Sequence, residues 1–360
     1  MKVAITCDTI LERSHYTEIV ESLCEVFPDA TLYCFAHKPK AVLGTIEQRP
    51  IRSTYLSKIV STNAEFYQHS NKLPSLAKNL FVSCDYDLIV NVSRGFSQGF
   101  KKCEKTKIVT YLYDLDYQSQ IRKTFLQKLF FPFIDSWIKK TLMQTDVLLT
   151  SREDLTNFLK QYKKDSIVIP PPFRISDYAL FPKEMFKHHF FLVEANGLDL
   201  DQAEQVCSWM KEWGYAFQFI GSDQHLNSMK GNYSENTFFG SRCSGEHTPV
   251  LASAKAYITF NRDEFPSLAL GTLATGRPVI IHQALTKWLS GVGVEVVDHL
   301  DKNLLKKAID SLPNDQELEP QKLRAHSVFY HDIKFKSAMK RTLDKALHDL
   351  DHPSDCAQCN

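Results

Sequence analysis

The chain has 360 residues, of which 43% are hydrophobic and 24% charged; this is ordinary globular composition with room for two domains, and it excludes a wholly disordered chain. Lys and Arg number 43 against 42 Asp and Glu, so the basic excess expected of a nucleic-acid-binding protein is missing. No apolar run approaches the roughly 18 residues of a membrane-spanning helix, and the opening residues, with Cys7 and Asp8 interrupting a short apolar stretch, read as a first strand and not a secretory leader.

Strand and helix alternate from there on. Residues 2–6 form a short apolar strand, and residues 17–27 place Ile19, Val20, Leu23, Cys24 and Phe27 on one helical face. Further strands are expected at 30–35, 86–92, 108–112, 147–150 and 167–169. Short apolar strands separated by helical segments imply βαβ units and parallel sheets. Pro170, Pro171 and Pro172 then remove three backbone donors and fix φ, so regular structure stops there. A second α/β series follows, with strands at 190–193, 217–220, 237–239, 256–260, 278–281 and 294–297. Helices are expected at 201–213 and 267–275.

These elements predict an N-terminal Rossmann-like domain over residues 1–170, a linker over 171–189 and a C-terminal Rossmann-like domain over 190–330. A last helix over 331–350 should pack back on the core through Phe335, Met339, Leu343 and Leu347, ahead of a frayed tail at 351–360. Ligands of such doubly wound sheets bind at the carboxyl ends of the strands, and the cleft between the two domains is the expected place.

Nine cysteines are present. Cys7, Cys24, Cys34, Cys84 and Cys207 fall within strand or helix patterns and read as buried free thiols of a reducing cytoplasm. Cys356 and Cys359 have the spacing of a metal or redox pair, but no second pair accompanies them, and they read as part of the tail. Residues 123–140, KTFLQKLFFPFIDSWIKK, combine aromatic residues with lysines at both ends. Such a segment either lies on anionic lipid or packs as a helix inside the domain or between subunits. Neither a serine-nucleophile elbow nor a phosphate-binding P-loop is present.

Residues 263–280, Asp-Glu-Phe-Pro-Ser-Leu-Ala-Leu-Gly-Thr-Leu-Ala-Thr-Gly-Arg-Pro-Val-Ile, resemble a signature of the retaining GT-B glycosyltransferases of family four. Three further stretches resemble the same family in the same order. They are Cys24-Glu-Val-Phe-Pro-Asp-Ala30, the path from Val147-Leu-Leu-Thr-Ser151 to Ile167-Val-Ile-Pro-Pro-Pro-Phe173, and Phe219-Ile-Gly-Ser222. The resemblance implies a GT-B fold with a nucleotide-sugar donor, UDP- or GDP-linked, held mainly by the C-terminal domain. It implies an acceptor on the N-terminal domain, a hexose transferred to a polysaccharide or cell-envelope acceptor, no metal and no separate cofactor. By the same resemblance the protein is cytoplasmic, with peripheral membrane contact through residues 123–140 and a glycan or lipid-linked acceptor as partner.

The positions that should carry this chemistry are substituted. A leaving diphosphate needs its developing charge stabilised. Family members use an Arg and, five positions on, a Lys; here those positions hold Asn196 and Asp201. Asp201 has the wrong sign, and an anion a few ångströms from a diphosphate is unfavourable. Asp263, with Glu264 beside it, keeps the first acidic position. Gly271 stands at the second, where a Glu would accept the ribose hydroxyls. The glycine loop reads Ser14-His15-Tyr16-Thr17, and Tyr113 stands where the family often has a His.

Two readings stay open. One is an active transferase with a rearranged donor site. In it Asp263, Glu264 and Arg262 are the catalytic candidates, and Gly221, Ser222, Arg242, Asp263, Glu264, Phe265, Pro266 and Thr272 contact the donor. Arg13, His15, Tyr113 and Asp114 then lie on the acceptor side, and Arg13, Lys230, Arg242 or Arg262 supply replacement cations. The other is a catalytically inactive GT-B pseudoenzyme that binds or senses a nucleotide, or regulates a protein partner.

Overall fold

The computed structural model describes residues 1–115, 117, 121, 125–162, 164–181, 190–221, 226, 238–239, 244–262, 265–314 and 316–351; of 125–127, 238–239, 244–246 and 346–351 it describes the backbone only. The chain divides into two units. The first is Met1–Pro172 together with the chain from Asp332 onward, and the second is Phe173–His331.

The first unit is built on seven strands: β1 (Val3–Ile10), β2 (Thr31–His37), β3 (Ile51–Ser53), β4 (Leu88–Ser93), β5 (Lys107–Leu112), β6 (Val147–Thr150) and β7 (Ile167–Val168). They lie in the order β3-β2-β1-β4-β5-β6-β7, and every neighbouring pair is parallel. Every residue of β1 and β4 is buried. That is why both read as continuous apolar runs, as central strands covered on both faces do. Leu112, Phe96, Phe100, Ile134 and Ile138 lie in the core on one side of the sheet. The C-terminal helix Asp332–Asp351 belongs to this unit. Phe335 meets Tyr111 edge-on at 5.5 Å, and Lys336 bridges Asp332 (2.7 Å) and Glu25 (2.5 Å) on the helix His15–Val26.

The second unit has six strands: β8 (Phe190–Glu194), β9 (Ala216–Ile220), β10 (Phe238–Phe239), β11 (Ala254–Thr259), β12 (Val279–His282) and β13 (Val294–Val297). Their order is β10-β9-β8-β11-β12-β13, again all parallel. Phe191, Val193, Val206, Met210, Phe219 and Ile258 fill its core under the helix Leu200–Glu212. Both sheets reverse their strand order once, between β1 and β4 and between β8 and β11. Such a switch point leaves a crevice outside the strands' carboxyl ends, where the flanking connections diverge to opposite faces.

One expectation is corrected. Cys84 is not a buried strand residue: it lies in an exposed turn before β4 and is joined to Cys103 in the turn before β5, with the two Cα atoms 5.3 Å apart. Parallel pairing of β4 with β5 brings their entry turns side by side. Cys7, Cys24, Cys34 and Cys207 are buried and not disulfide-bonded. Within the segment 123–140, the described side chains from residue 128 onward fall on a covered and an open side. The helix Phe125–Met143 buries Phe131, Ile134, Ile138 and Leu142 but leaves Leu129 63%, Phe130 44% and Phe133 63% exposed. No helix among the described residues is long and apolar enough to cross a membrane.

Candidate functional site

In the first unit, the loop after β1 leads into the helix His15–Val26, whose first residue is one of the acceptor-side candidates. His15 Nε2 lies 2.8 Å from the Pro172 carbonyl and Nδ1 lies 3.0 Å from the Tyr113 hydroxyl. A carbonyl only accepts, so Nε2 carries the proton and Nδ1 accepts from Tyr113. Burial pushes the imidazole down to about 3, with the Pro172 hydrogen bond acting weakly against it. His15 is therefore neutral at pH 7. It opens its helix and is held by Tyr113, the residue after β5.

Tyr16 reaches deeper. Its hydroxyl donates to the Val92 carbonyl and accepts from the Asp8 amide, both at 2.7 Å. The Arg94 guanidinium sits 4.3 Å over the ring. The buried Asp8 carboxylate accepts from the backbone amides of Arg94 (2.8 Å) and Ser97 (2.7 Å), and Arg94 Nη2 donates to Thr9 (3.0 Å) and Asn63 (3.1 Å). Desolvation raises the Asp8 carboxyl, opposed by the charge of Arg94. This polar cluster closes the β1–β4 switch point.

The other two acceptor-side candidates are engaged elsewhere. Asp114 takes a two-pronged ion pair from Arg152 (2.8 and 3.3 Å), and Arg152 Nε donates to Asp154 at 2.7 Å. Arg13 pairs with Glu21 at 3.3 Å from a largely exposed position.

In the second unit, β8 ends at Glu194 and runs through Ala195, Asn196, Gly197 and Leu198 into the helix Leu200–Glu212. Gly197 presses on the loop after β11: a Cβ there would lie 2.3 Å from the Asn261 nitrogen, so only glycine lets the two backbones approach. Gly221, at the end of β9, faces the Asn196 side chain, whose Oδ1 would lie 2.8 Å from an added Cβ. The helix start is closed by its own carboxylate. Asp199 accepts from the Gln202 amide at 2.8 Å, and the Gln202 side chain accepts from the Asp199 amide at 3.0 Å. With Asp201 exposed in the first turn, this helix terminus already carries the negative charge that its dipole favours.

The space beside Gly271 is filled from outside its helix. A Cβ on Gly271 would lie 2.4 Å from Cε1 and 2.9 Å from Cζ of Tyr178. Tyr178 is 3% exposed, stacks on Phe173 at 5.1 Å and is pinned by Arg324, which donates to its carbonyl at 2.7 Å. Thr272 is buried, with its hydroxyl donated to the Leu268 carbonyl inside the helix Ser267–Ala274. Phe265 lies in the core, edge-on to Trp288 and Tyr330, and Pro266 is buried at the helix start. Of the donor-side candidates, Gly221 and the exposed Arg262 stand at the carboxyl edge. Ser222, Lys230, Arg242, Asp263 and Glu264 lie outside the described residues, as do Cys356 and Cys359.

One residue at this edge carries no assignment from sequence. Glu194 accepts from the Tyr257 hydroxyl at 2.8 Å, from the Thr259 hydroxyl, and from the Asn261 amide at 3.4 Å. Burial, reinforced by the Glu194 charge, raises Tyr257 far above the usual phenol range, so that it stays a donor. The available signal was a single acid closing an otherwise apolar strand. Among the described residues no group of three or more His, Cys, Asp or Glu side chains is placed to hold a metal.

No family model matches the chain, and no curated protein matches it in sequence. Solved structures do match. Anabaena HepE, solved in complex with UDP, is 12% identical with a TM-score of 0.64, covering 96% of this chain and 100% of its own. The trehalose 6-phosphate synthase of Burkholderia multivorans is 11% identical with a TM-score of 0.59, covering 97% and 99%. A glycosyltransferase of kitacinnamycin is 11% identical with a TM-score of 0.54, covering 95% and 99%. At these identities the likeness shows the fold: two parallel-sheet Rossmann-like domains of the GT-B glycosyltransferase type.

Proposed function

We propose that this chain is a glycosyltransferase-like protein of the retaining, family-four GT-B type. In this reading the second unit binds a UDP- or GDP-linked sugar at the carboxyl edge of its sheet. The observation that carries the reading is the β8–β11 switch point, where Gly197 lets the loop after β8 pack on the loop after β11 and Gly221 lies against the Asn196 side chain. HepE has been solved with UDP and with UDP-glucose, which makes UDP the first ligand to test. Transfer of the hexose to a polysaccharide or cell-envelope acceptor needs cations for the leaving diphosphate. Asn196 and Asp201 supply none, so the role falls to Arg262, with Arg242 and Lys230 as the further candidates.

A second reading, a pseudoenzyme that binds without transferring, is favoured by one specific observation. The positions for the glycine loop and the second acid are filled by His15 and Tyr178, both held in place by neighbours. Calorimetric titration with UDP, GDP, ADP and their sugar conjugates separates the readings, followed by donor hydrolysis and transfer assays. Micromolar binding with turnover supports the transferase; binding without turnover supports the pseudoenzyme. No binding at millimolar concentration removes both nucleotide readings and points to a protein partner.

Contact of the first unit with a membrane belongs to the same proposal. Leu129, Phe130 and Phe133 form an exposed apolar patch beside the exposed Lys128 and Lys140, the composition of an interfacial helix on anionic lipid. Co-sedimentation with vesicles containing phosphatidylserine should fall at least tenfold in a Leu129→Ser/Phe133→Ser variant, because each large apolar side chain contributes roughly 1.5–3 kcal/mol on burial. Unchanged binding would refute the contact.

A further inference from the structure

We infer that Glu194 is the ribose-recognition residue of the second unit and sets a preference for ribonucleotides over deoxyribonucleotides. This inference rests on the nucleotide reading above. Glu194 closes β8 at the switch point, directly beside Thr259 in the register that pairs Ile258 with Val193. It is 8% exposed, so the residue is largely desolvated. A carboxylate in such a place is unfavourable unless something compensates it. Among the described residues its partners are two hydroxyls and one amide, with no cation.

The partners divide unevenly between the oxygens. Oε2 takes both hydroxyls, from Tyr257 and Thr259, and those two bonds fix the plane of the group. Oε1 receives only the Asn261 amide, at the long distance of 3.4 Å. An ionised carboxylate has about four acceptor sites, so Oε1 keeps acceptor capacity beyond the Asn261 contact. A nucleoside diphosphate offers two kinds of group there. Its phosphates are anions, which Glu194 repels. Its ribose hydroxyls are donors, which Glu194 accepts, and a vicinal diol places two of them on one side of the ring. The helix Ser267–Ala274 offers no competing side chain at Gly271, because Tyr178 fills that space. Asp199 is already engaged by its own helix start.

The test compares UDP, GDP and ADP with their 2′-deoxy and 3′-deoxy forms by calorimetry, on the wild-type chain and on Glu194→Gln. The substituted amide keeps one carbonyl oxygen for Tyr257 and Thr259 but replaces the second acceptor with a donor. A hydrogen bond to a charged group is the interaction being removed, so one deoxy form should bind the wild type about 10- to 100-fold more weakly. Glu194→Gln should weaken the parent nucleotide by a similar factor and shrink the deoxy penalty to about threefold or less. Equal wild-type affinity for the ribo and deoxy forms overturns the inference without any variant, and leaves the nucleotide reading standing. So does a Glu194→Gln protein that binds the parent nucleotide at full strength. A penalty that follows the base and not the sugar also overturns it. Absence of binding to every nucleotide removes the nucleotide reading, and this inference with it.

Discussion

Gly271→Ala is a sign test of how the second unit is packed. Gly271 lies in the middle of the helix Ser267–Ala274, where replacing Gly by Ala should stabilise by about 1 kcal/mol through propensity alone. The structure opposes that gain. The new methyl would lie 2.4 Å from Tyr178 Cε1, 2.9 Å from Cζ and 3.0 Å from Cδ1, about 1 Å inside the carbon–carbon optimum. The ring cannot swing away cheaply, being stacked on Phe173 with its carbonyl bound by Arg324. Overpacking of this kind costs roughly 1–3 kcal/mol, so the net effect should be a loss of about 1 kcal/mol. For a unit of this size that is a fall of about 2–4 °C in the midpoint. Tryptophan fluorescence reports it well, because Trp209, Trp213 and Trp288 all lie in the second unit and Trp137 alone in the first. In a Tyr178→Leu background the clash is relieved and Gly271→Ala should turn stabilising, a coupling of at least about 1 kcal/mol. A Gly271→Ala protein that melts higher than wild type would refute the packing argument. Gly271→Glu, which places a larger, charged side chain against Tyr178, should lose more stability than Gly271→Ala and gain no nucleotide affinity.

Three further outcomes are expected. His15 has its ordinary value near 6.5 when unfolded and about 3 when folded, so the unfolded chain binds the proton first. Its contribution is fully present above about pH 6.5 and is lost as pH falls toward 3, by up to about 1.4 kcal/mol per pH unit. Urea midpoints between pH 6.5 and 4 should therefore fall less steeply in His15→Gln than in wild type, and equal slopes would contradict the assignment. The Cys84–Cys103 bond spans 19 positions and should contribute about 3 kcal/mol. Reductant should lower the wild-type midpoint and leave Cys84→Ser unmoved; a reductant effect that persists in Cys84→Ser would count against the pairing. Arg262→Ala should weaken UDP about fivefold, the scale of an exposed ion pair, while leaving uridine unchanged. Equal weakening of both would remove Arg262 from the phosphate end.

What the sequence revealed follows from where each signal resides. The central strands were legible because burial on both faces makes them continuous apolar runs, as in Val3–Ile10 and Leu88–Ser93. The edge strand Ile51–Ser53 was not, since Ile-Arg-Ser is short, half-covered and patternless. The scaffold glycines were legible as motif letters, but the reason for Gly271 was not. It depends on Tyr178, which belongs to the chain ahead of β8 and touches the helix only after folding. Asp8 and Arg94 stand 86 positions apart, and each reads as part of its own strand or turn. Adjacency of β1 and β4 makes them a cluster. The same holds for Cys84 and Cys103, whose pairing is a property of sheet order and not of spacing.

His15 and Gly271 each have a close packing partner, and this bears on how a ligand would sit. His15 is bonded to Tyr113 at 3.0 Å, and Gly271 is packed by Tyr178. Scattered loss would leave holes or unpaired polar groups, each costing stability. Here both nitrogens of His15 are satisfied, and the space at Gly271 holds a buried ring. In the second unit the described charges near the end of β8 are Glu194, Asp199 and Asp201, all negative, while Arg262 stands just beyond β11. A diphosphate is repelled from the first group and drawn toward the second. Asn261 joins the two edges, reaching Glu194 with its side chain and lying against Gly197, so a nucleotide bound here should turn its phosphates to the Arg262 side, away from Asp199 and Asp201.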